Sequence, residues 1–170
     1  MIHPIITVPN PILARSCESI SKYGPSEQAL VNDLFETMHA AHGLGLAAPQ
    51  IGVSLCVAVI EIPQEEFFSK PPFGKPIQII LLNPIIGESS GSDTADEGCL
   101  SIPDVRYKIT RPFEVAINTF HPWPSVWEMG HYKFEGLLAR AAQHEIDHLN
   151  GILISDRARE QGVEPSQHSA

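Results

Sequence analysis

Two histidines near the C-terminal end of the chain, His144 and His148, are four positions apart, with Glu145 between them. On a helix, side chains at i and i+4 lie on the same face, so both imidazoles could bind one metal ion. Glu145 and Asp147 would flank the pair on opposite sides, each about 60° away around the helix. The longer Glu145 is the better candidate for a general base acting on a water that the metal activates, and Asp147 could orient a neighbouring ligand. This spacing predicts the metal site of a hydrolase.

Two imidazoles leave a catalytic metal ion one protein ligand short, because such sites usually combine three protein ligands with one open position. One class of metallopeptidases extends the same pattern to a third histidine, but that position is Ile154 in this chain. Glu160 and Glu164 follow the histidines, yet few residues remain after them to fold back. Cys99 lies between a glycine and a proline-containing turn, which would constrain its thiolate, and it is the best candidate for the third ligand.

A small-residue segment at residues 43–52, with the sequence GLGLAAPQIG, is the third candidate for a functional role. Glycine and alanine would let a ligand approach the backbone closely, and the side-chain amide of Gln50 could donate a hydrogen bond to it. The same composition is also typical of a plain turn after a helix. By itself, this segment leaves both interpretations open.

Two helices would frame these residues. Apolar side chains with helical periodicity predict the first over residues 26–43 and the second over residues 136–150, where the histidines lie. Leu137 and Ala141 share the face of the histidines, and they would either line an apolar side of the metal site or simply pack in the core. The last residues, 159–170, are polar and predict a loose tail after a single domain at residues 1–158.

The strands are predicted from runs rich in valine and isoleucine or from segments in which apolar and polar residues alternate. These runs cover residues 54–62, residues 77–86 with a break at Pro84, residues 111–120 and residues 126–134. Segments rich in glycine, serine, aspartate or proline predict connections instead. The connections are a polar turn at residues 87–95 and loops at residues 63–76 and 121–125.

Composition excludes several classes of function. The chain has 170 residues and a formal net charge of −9, and its 11 lysines and arginines form no basic stripe for a nucleic acid. No apolar run reaches the length of about 20 residues that crosses a membrane, and the N-terminus lacks the features of a signal peptide. Three cysteines form no secreted disulfide framework, and Cys17 and Cys56 fit small buried apolar groups. We therefore expect a cytoplasmic protein.

Taken together, three segments resemble the signature motifs of the peptide deformylases: GLGLAAPQIG, EGCLSIP and QHEIDHLNG, in this order and with these spacings. The resemblance extends over nearly the whole chain, to about Arg157. It implies an α+β fold in which antiparallel β-sheets pack around a central helix that carries the two histidines. It also implies removal of the formyl group from the N-terminal formyl-methionine of newly synthesised polypeptides.

The resemblance further implies roles for individual residues. The implied metal ligands are Cys99, His144 and His148. The groups implied to act on the substrate carbonyl are the general acid/base Glu145, the amide of Gln50 and the backbone N–H of Leu100. The residues implied to bind the substrate through its backbone, its methionine side chain or its flanking groups are Gly45, Leu44, Gly98, Arg106 and Leu137.

One divalent metal ion is the implied cofactor, with Fe²⁺ expected in the cell and Zn²⁺ or Ni²⁺ in purified samples. The implied partners are formyl-methionyl nascent chains and, transiently, the ribosome, although the short tail of mixed charge leaves C-terminal docking open. Two other functions were considered. A zinc peptidase would cleave internal peptide bonds, which the isoleucine at position 154 disfavours, and a structural or redox-sensing metal site would need a fourth protein ligand.

Overall fold

A computed structural model describes residues 1–63, 76–123 and 127–167. Within these residues, the chain forms three α-helices, nine β-strands and two short 3₁₀ helices. The helices are α1 (Pro25–Ala40), α2 (Gly136–Leu149) and α3 (Ile154–Gln161), and the 3₁₀ helices are Pro11–Ala14 and Ala48–Ile51. The strands are β1 (Gly45–Ala47), β2 (Val57–Ile62), β3 (Ile77–Leu82), β4 (Ile85–Ser90), β5 (Asp93–Cys99), β6 (Ile102–Arg111), β7 (Glu114–Phe120), β8 (Met129–Glu135) and β9 (Ser166–Gln167).

The strands form three antiparallel sheets, with the strand orders β1-β2-β3, β4-β7-β8 and β5-β6-β9. Helix α2 packs between the first two sheets, and its buried Ala142 and Ile146 share one core with Ile60 of β2 and Ile117 of β7. The predicted α+β class, with antiparallel sheets around the helix that carries the histidines, is therefore confirmed.

Strand β2 is buried on both faces, which explains its nearly continuous apolar sequence. Ala58 and Ile60 point toward α2, whereas Val57 and Val59 belong to a second core. That second core includes the buried face of α1, whose Leu34 is fully buried. Both predicted helices are confirmed, and together they enclose the first sheet.

The second and third sheets differ in part from the predicted elements. Residues 87–95 were expected to form a turn, but most of them lie in β4 and β5, and Gly91, with φ 67°, lies in the short connection. Strand β6 had no counterpart in the prediction. The expected break at Pro84 is confirmed, because β3 ends at Leu82 and Asn83 adopts a left-handed conformation with φ 46°. The predicted loop at 63–76 lies outside the described residues except for its two ends. Of the loop predicted at 121–125, residues 121–123 are described and follow the end of β7 at Phe120, outside any strand of the three sheets.

The C-terminal segment also differs from the expected loose tail, at least as far as residue 167. Ile154 and Ala158, one turn apart on α3, are both buried. Gln161 exchanges two hydrogen bonds of 2.9 Å with the backbone of Thr110, and β9 pairs with β6. This segment is therefore attached to the third sheet. In the described residues, no helix combines the length and the apolar character needed to cross a membrane.

Candidate metal centre and active site

Cys99 is the last residue of β5, at a point where the pairing with β6 changes register. Gly98 pairs with Arg106, but Cys99 pairs with Ile102, so the ladder skips residues between these two pairs. Such irregularities change the direction of a side chain at the end of a strand. The local fold therefore delivers the thiol of Cys99 toward helix α2.

The thiol meets the two predicted histidines. One ligand atom from each of Cys99, His144 and His148 lies within 4.8 Å of the other two. The Sγ of Cys99 is 3.2 Å from Nε2 of His148, and the two imidazole rings have centroids 5.0 Å apart. Within the described chain, no fourth His, Cys, Asp or Glu side chain joins this group. The arrangement matches a catalytic set of three protein ligands rather than a closed structural site.

Ile154 does not take part in this group. Its side chain is 2% exposed and packs with Leu13, Ile102 and Leu153. The residue that replaces a third histidine ligand is thus a core residue of α3.

Glu97 orients the ring of His144, a contact that the sequence did not predict. Nδ1 of His144 donates to Oε2 of Glu97 at 3.2 Å, which leaves Nε2 as the free ligand atom. Burial alone would raise the pKa of Glu97, but hydrogen bonds from His144 and Arg111 outweigh it and lower this pKa to about 2. Burial likewise disfavours a charged His144, yet its hydrogen bonds with Cys99 and Glu97 raise its pKa to about 10. The buried Glu97 carboxylate thus stabilises positive charge at the ring of His144, and a bound metal ion would take the place of the proton on Nε2.

Arg111 connects Glu97 to the helix that carries the histidines. Its guanidinium donates to both carboxylate oxygens of Glu97, at 2.7 and 2.9 Å, and to Asp147 at 2.8 Å. Arg157 of α3 also donates to Asp147, at 2.6 and 3.1 Å, and Arg140 donates to Glu97. Asp147 was expected to orient a metal ligand, but the structure places Arg111 and Glu97 between it and the imidazole of the ligand. Its influence on the site is therefore indirect.

Glu145 lies in the buried part of the site, with 4% of its surface exposed. Its Oε2 has no hydrogen-bond partner within the described part of the chain, so this oxygen is available to a water or a substrate. Burial raises the pKa of Glu145 to about 7, against the opposing effects of His144 and Arg111. Gly45 is directly beside this carboxylate: a Cβ at that position would be 2.4 Å from Oε1. The glycine leaves the space that Glu145 occupies.

Gln50 is held so that its amide nitrogen faces the cluster of Cys99, His144 and His148. Its Oε1 accepts the backbone N–H of Ala47 at 2.9 Å, and its Nε2 donates to Oγ of Ser101 at 3.1 Å. The same nitrogen is 3.9 Å from the Sγ of Cys99. Because the carbonyl end of the amide is already engaged, a hydrogen-bond donor is fixed beside the ligand cluster.

A cavity of about 630 Å³ opens next to these groups. Every residue that the resemblance implicated lines it except His148, which is 1% exposed and lies behind the cavity surface. The lining residues from that set are Leu44, Gly45, Gln50, Gly98, Cys99, Leu100, Arg106, Leu137, His144 and Glu145. Glu97, His42 and Asp104 also line the cavity and were not predicted as site residues. For Glu97, the available signal was its position two residues before the candidate ligand Cys99.

The comparisons with known proteins agree with this geometry. The family model described as Polypeptide deformylase matches residues 2–164. A peptide deformylase of Acidobacterium capsulatum is 42% identical over 154 residues, which cover 91% of this chain and 85% of that protein.

Solved structures give the same result. A peptide deformylase from Legionella pneumophila is 36% identical and has a TM-score of 0.78, over 92% of this chain and 86% of that chain. A class I type b peptide deformylase from Acinetobacter baumannii, solved with Met-Ala-Ser bound, is 30% identical and has a TM-score of 0.81, over 92% of this chain and 98% of that chain. Given the family match along nearly the whole sequence and the fold shared with these enzymes, this chain belongs to the polypeptide deformylase family.

Proposed function

We propose that Cys99, His144 and His148 hold a divalent metal ion with which this enzyme removes the N-terminal formyl group from formyl-methionyl peptides. Deformylation of new polypeptides is the activity of the family to which the chain belongs. The observation that carries the assignment is the three-ligand cluster beside a cavity that also contains Glu145 and Gln50. A bound ion would supply a Lewis acid that polarises the formyl oxygen and makes a water more acidic.

One thiolate and two neutral imidazoles would leave a divalent ion with a net charge near +1. Such a ligand set suits iron, zinc or nickel, and cellular availability selects among them. We propose Fe²⁺ as the ion used in the cell. The hydrogen bond from His144 to Glu97 supports metal binding, because it fixes which ring nitrogen faces the ion.

Glu145 is the proposed general acid/base. As a water oxygen attacks the formyl carbon, the carboxylate accepts the proton of that water and then donates it to the departing amine. Its burial supports this role, as does the lack of a hydrogen-bond partner for its Oε2 among the residues that the structure describes.

Gln50 and Leu100 are the proposed donors to the reacting oxygen. Negative charge grows on the formyl oxygen during attack, and donors fixed in advance in a water-poor cavity stabilise that charge strongly. The fixed orientation of the Gln50 amide supports this assignment, and the position of Leu100 in the cavity lining, directly after the ligand Cys99, makes its backbone N–H the second candidate.

Two strand edges of the protein are available to bind the peptide part of the substrate. β1 and β5 are each the outermost strand of their sheet in the described residues, and Gly45 and Gly98 from these strands line the cavity. We propose that the substrate backbone pairs with these edges as an added strand. Leu44 and Leu137 would contact the methionine side chain, and Arg106, at the exposed rim, would contact the residues that follow. The Acinetobacter baumannii enzyme was solved with Met-Ala-Ser bound, which supports a peptide that begins with methionine as the ligand.

Selectivity for formyl over larger acyl groups would follow from the limited space around the reacting carbon. A formyl carbon carries only hydrogen, whereas an acetyl group adds a methyl group next to the groups that surround the reacting carbon. Gly45 and Glu145 are packed so closely that a single added carbon at Gly45 would overlap the carboxylate.

We propose that the natural substrates are formyl-methionyl nascent chains. The enzyme would meet them in the cytoplasm, in transient contact with the ribosome.

The decisive experiment measures amine release from formyl-Met-Ala-Ser and from acetyl-Met-Ala-Ser. The parent protein, Glu145→Gln and the surface control Glu88→Gln are compared with the same metal content. We expect the parent and Glu88→Gln to act on the formyl peptide alone, and Glu145→Gln to be slower by about 10²-fold to 10⁴-fold, as for loss of a general acid/base. Equal rates for the parent and Glu145→Gln would refute the mechanism, and equal rates on both peptides would refute the specificity.

A further inference from the structure

Cys17 and Cys56 form a second pair of reactive side chains, apart from the metal ligands. The thiol of Cys56 donates to the backbone carbonyl of Cys17 at 3.3 Å, so its sulfur lies directly beside residue Cys17. The sequence favoured two independent, buried apolar groups. Both side chains are instead only half-buried, so small solutes can reach this pair.

The backbone fixes the two cysteines in this position. Glu18 donates its N–H to the carbonyl of Ser54 at 3.0 Å, and Cys56 donates its N–H to the carbonyl of Glu18 at 2.8 Å. These bonds form a parallel bridge between Glu18 and Leu55, with the two cysteines as its flanking residues. The backbone N–H of Cys17 also donates to the carbonyl of Leu149, at the end of α2, at 2.8 Å. Because these two chain segments are anchored side by side, the sulfur of Cys56 lies against the backbone of Cys17.

The two thiols differ in acidity. The hydrogen bond from Cys17 is the main reason that the pKa of Cys56 falls to about 7, although burial opposes this effect. The same hydrogen bond, together with burial, raises the pKa of Cys17. Cys56 is thus the better nucleophile at neutral pH, and Cys17 is a neighbouring thiol that can react in a second step.

We propose that Cys17 and Cys56 are a thiol–disulfide exchange site that a low-molecular-weight disulfide oxidises to an intramolecular disulfide. In the first step, the Cys56 thiolate attacks the disulfide, forms a mixed disulfide and releases one thiolate. In the second step, Cys17 loses its proton to that thiolate and attacks the Cys56 sulfur, which releases the second thiolate. Cys56 has given its own proton to the solvent on becoming a thiolate, and the second thiolate released takes up a proton from the solvent. The protein thus loses two electrons and two protons, and the small disulfide becomes two thiols.

The test uses metal-loaded protein, in which Cys99 is engaged by the ion, and oxidised glutathione as the probe. After incubation, free thiols are alkylated, the protein is digested with a protease, and the masses of the peptides are measured by mass spectrometry. We expect Cys17 and Cys56 to become linked, with the loss of two alkylatable thiols and their return after treatment with dithiothreitol. In Cys17→Ser, which lacks the second thiol, glutathione should remain attached to Cys56. In Cys56→Ser, Cys17 should stay reduced.

Several outcomes would overturn the proposal. They are a glutathione adduct that persists on Cys56 in the parent, a parent protein that keeps both thiols, and a link that includes Cys99. Modification of Cys17 in Cys56→Ser at the parental rate would also contradict the assigned order. The measurement on the parent does not depend on the folding of either variant. Amine release from a formyl peptide by each serine variant checks independently that the fold is intact.

Discussion

Replacing Gly45 with alanine tests the position of Glu145 with the addition of one carbon. The new Cβ would be 2.4 Å from Oε1 of Glu145 and 2.8 Å from its Cδ. Ordinary contact begins at 3.4 Å, so the carboxylate oxygen must move by about 1 Å. Glu145 lines the cavity, so its carboxylate can move only into that space, away from Gly45. The substitution therefore displaces the proposed acid/base without altering a proposed metal ligand.

A displacement of about 1 Å at a reacting group costs about 10²-fold in rate. We expect kcat/KM for formyl-Met-Ala-Ser to fall about 100-fold in Gly45→Ala, which corresponds to about 2.7 kcal/mol of lost transition-state stabilisation. Steady-state amine release at equal metal content measures kcat/KM for the variant and for the parent. Gly87→Ala is the matched control, because its added Cβ would meet no atom closer than 3.6 Å, and its rate should equal that of the parent.

The cause is separated from a general loss of stability by a double-mutant cycle. In Glu145→Ala, the atoms that the new Cβ would strike are gone, so adding Gly45→Ala should cost less unfolding free energy than it costs in the parent. Denaturant unfolding gives the free energy of unfolding of the parent, of the two single variants and of the double variant. An unchanged kcat/KM in Gly45→Ala, or an equal stability cost in both backgrounds, would refute this explanation.

Three further changes test the surroundings of the site. Arg111→Leu leaves two buried carboxylates short of a partner, and we expect urea unfolding to report a loss of about 3–5 kcal/mol, whereas Lys133→Leu on the surface should leave the midpoint unchanged. Arg157→Ala should cost less than Arg111→Leu in the same assay, because the carboxylate it contacts keeps its bond to Arg111. Gln50→Ala removes a proposed donor to the reacting oxygen, and kcat should fall by about 10²-fold to 10³-fold in an amine-release assay with unchanged metal content.

Helical periodicity explains why much of the site could be predicted. The spacing of His144 and His148 determines by itself that both rings leave the same face of α2. The choice of Cys99 depended on the absence of better ligands downstream, and the structure brings its thiol to the two rings. In both cases, the type and spacing of residues along the chain were enough to indicate the candidate ligand.

The network around Glu97 could not be predicted in this way. Glu97, Arg111 and Asp147 come from three elements, and their pairing depends on how the third sheet packs on α2. Charged residues are also uncommon in strands, and β5 and β6 lack the run of valine and isoleucine that identified β2. Their charges are accommodated because the carboxylates and guanidinium groups are paired inside the protein.

Helix α3 and strand β9 were missed for a different reason. Only two residues of α3, Ile154 and Ala158, are buried, and this is too weak a pattern to distinguish a short helix from a polar tail. The segment is held mainly by contacts to β6, including the reciprocal bonds between Gln161 and Thr110. Such long-range contacts leave no local trace in the sequence.

The most direct test of the metal assignment is a titration of chelator-treated protein with Ni²⁺, with amine release from formyl-Met-Ala-Ser as the readout. If Cys99, His144 and His148 form the single catalytic metal site, the rate should rise in proportion to added metal and stop rising at one ion per chain. A full rate in the metal-free protein, or a rate that keeps rising well beyond one ion per chain, would contradict it.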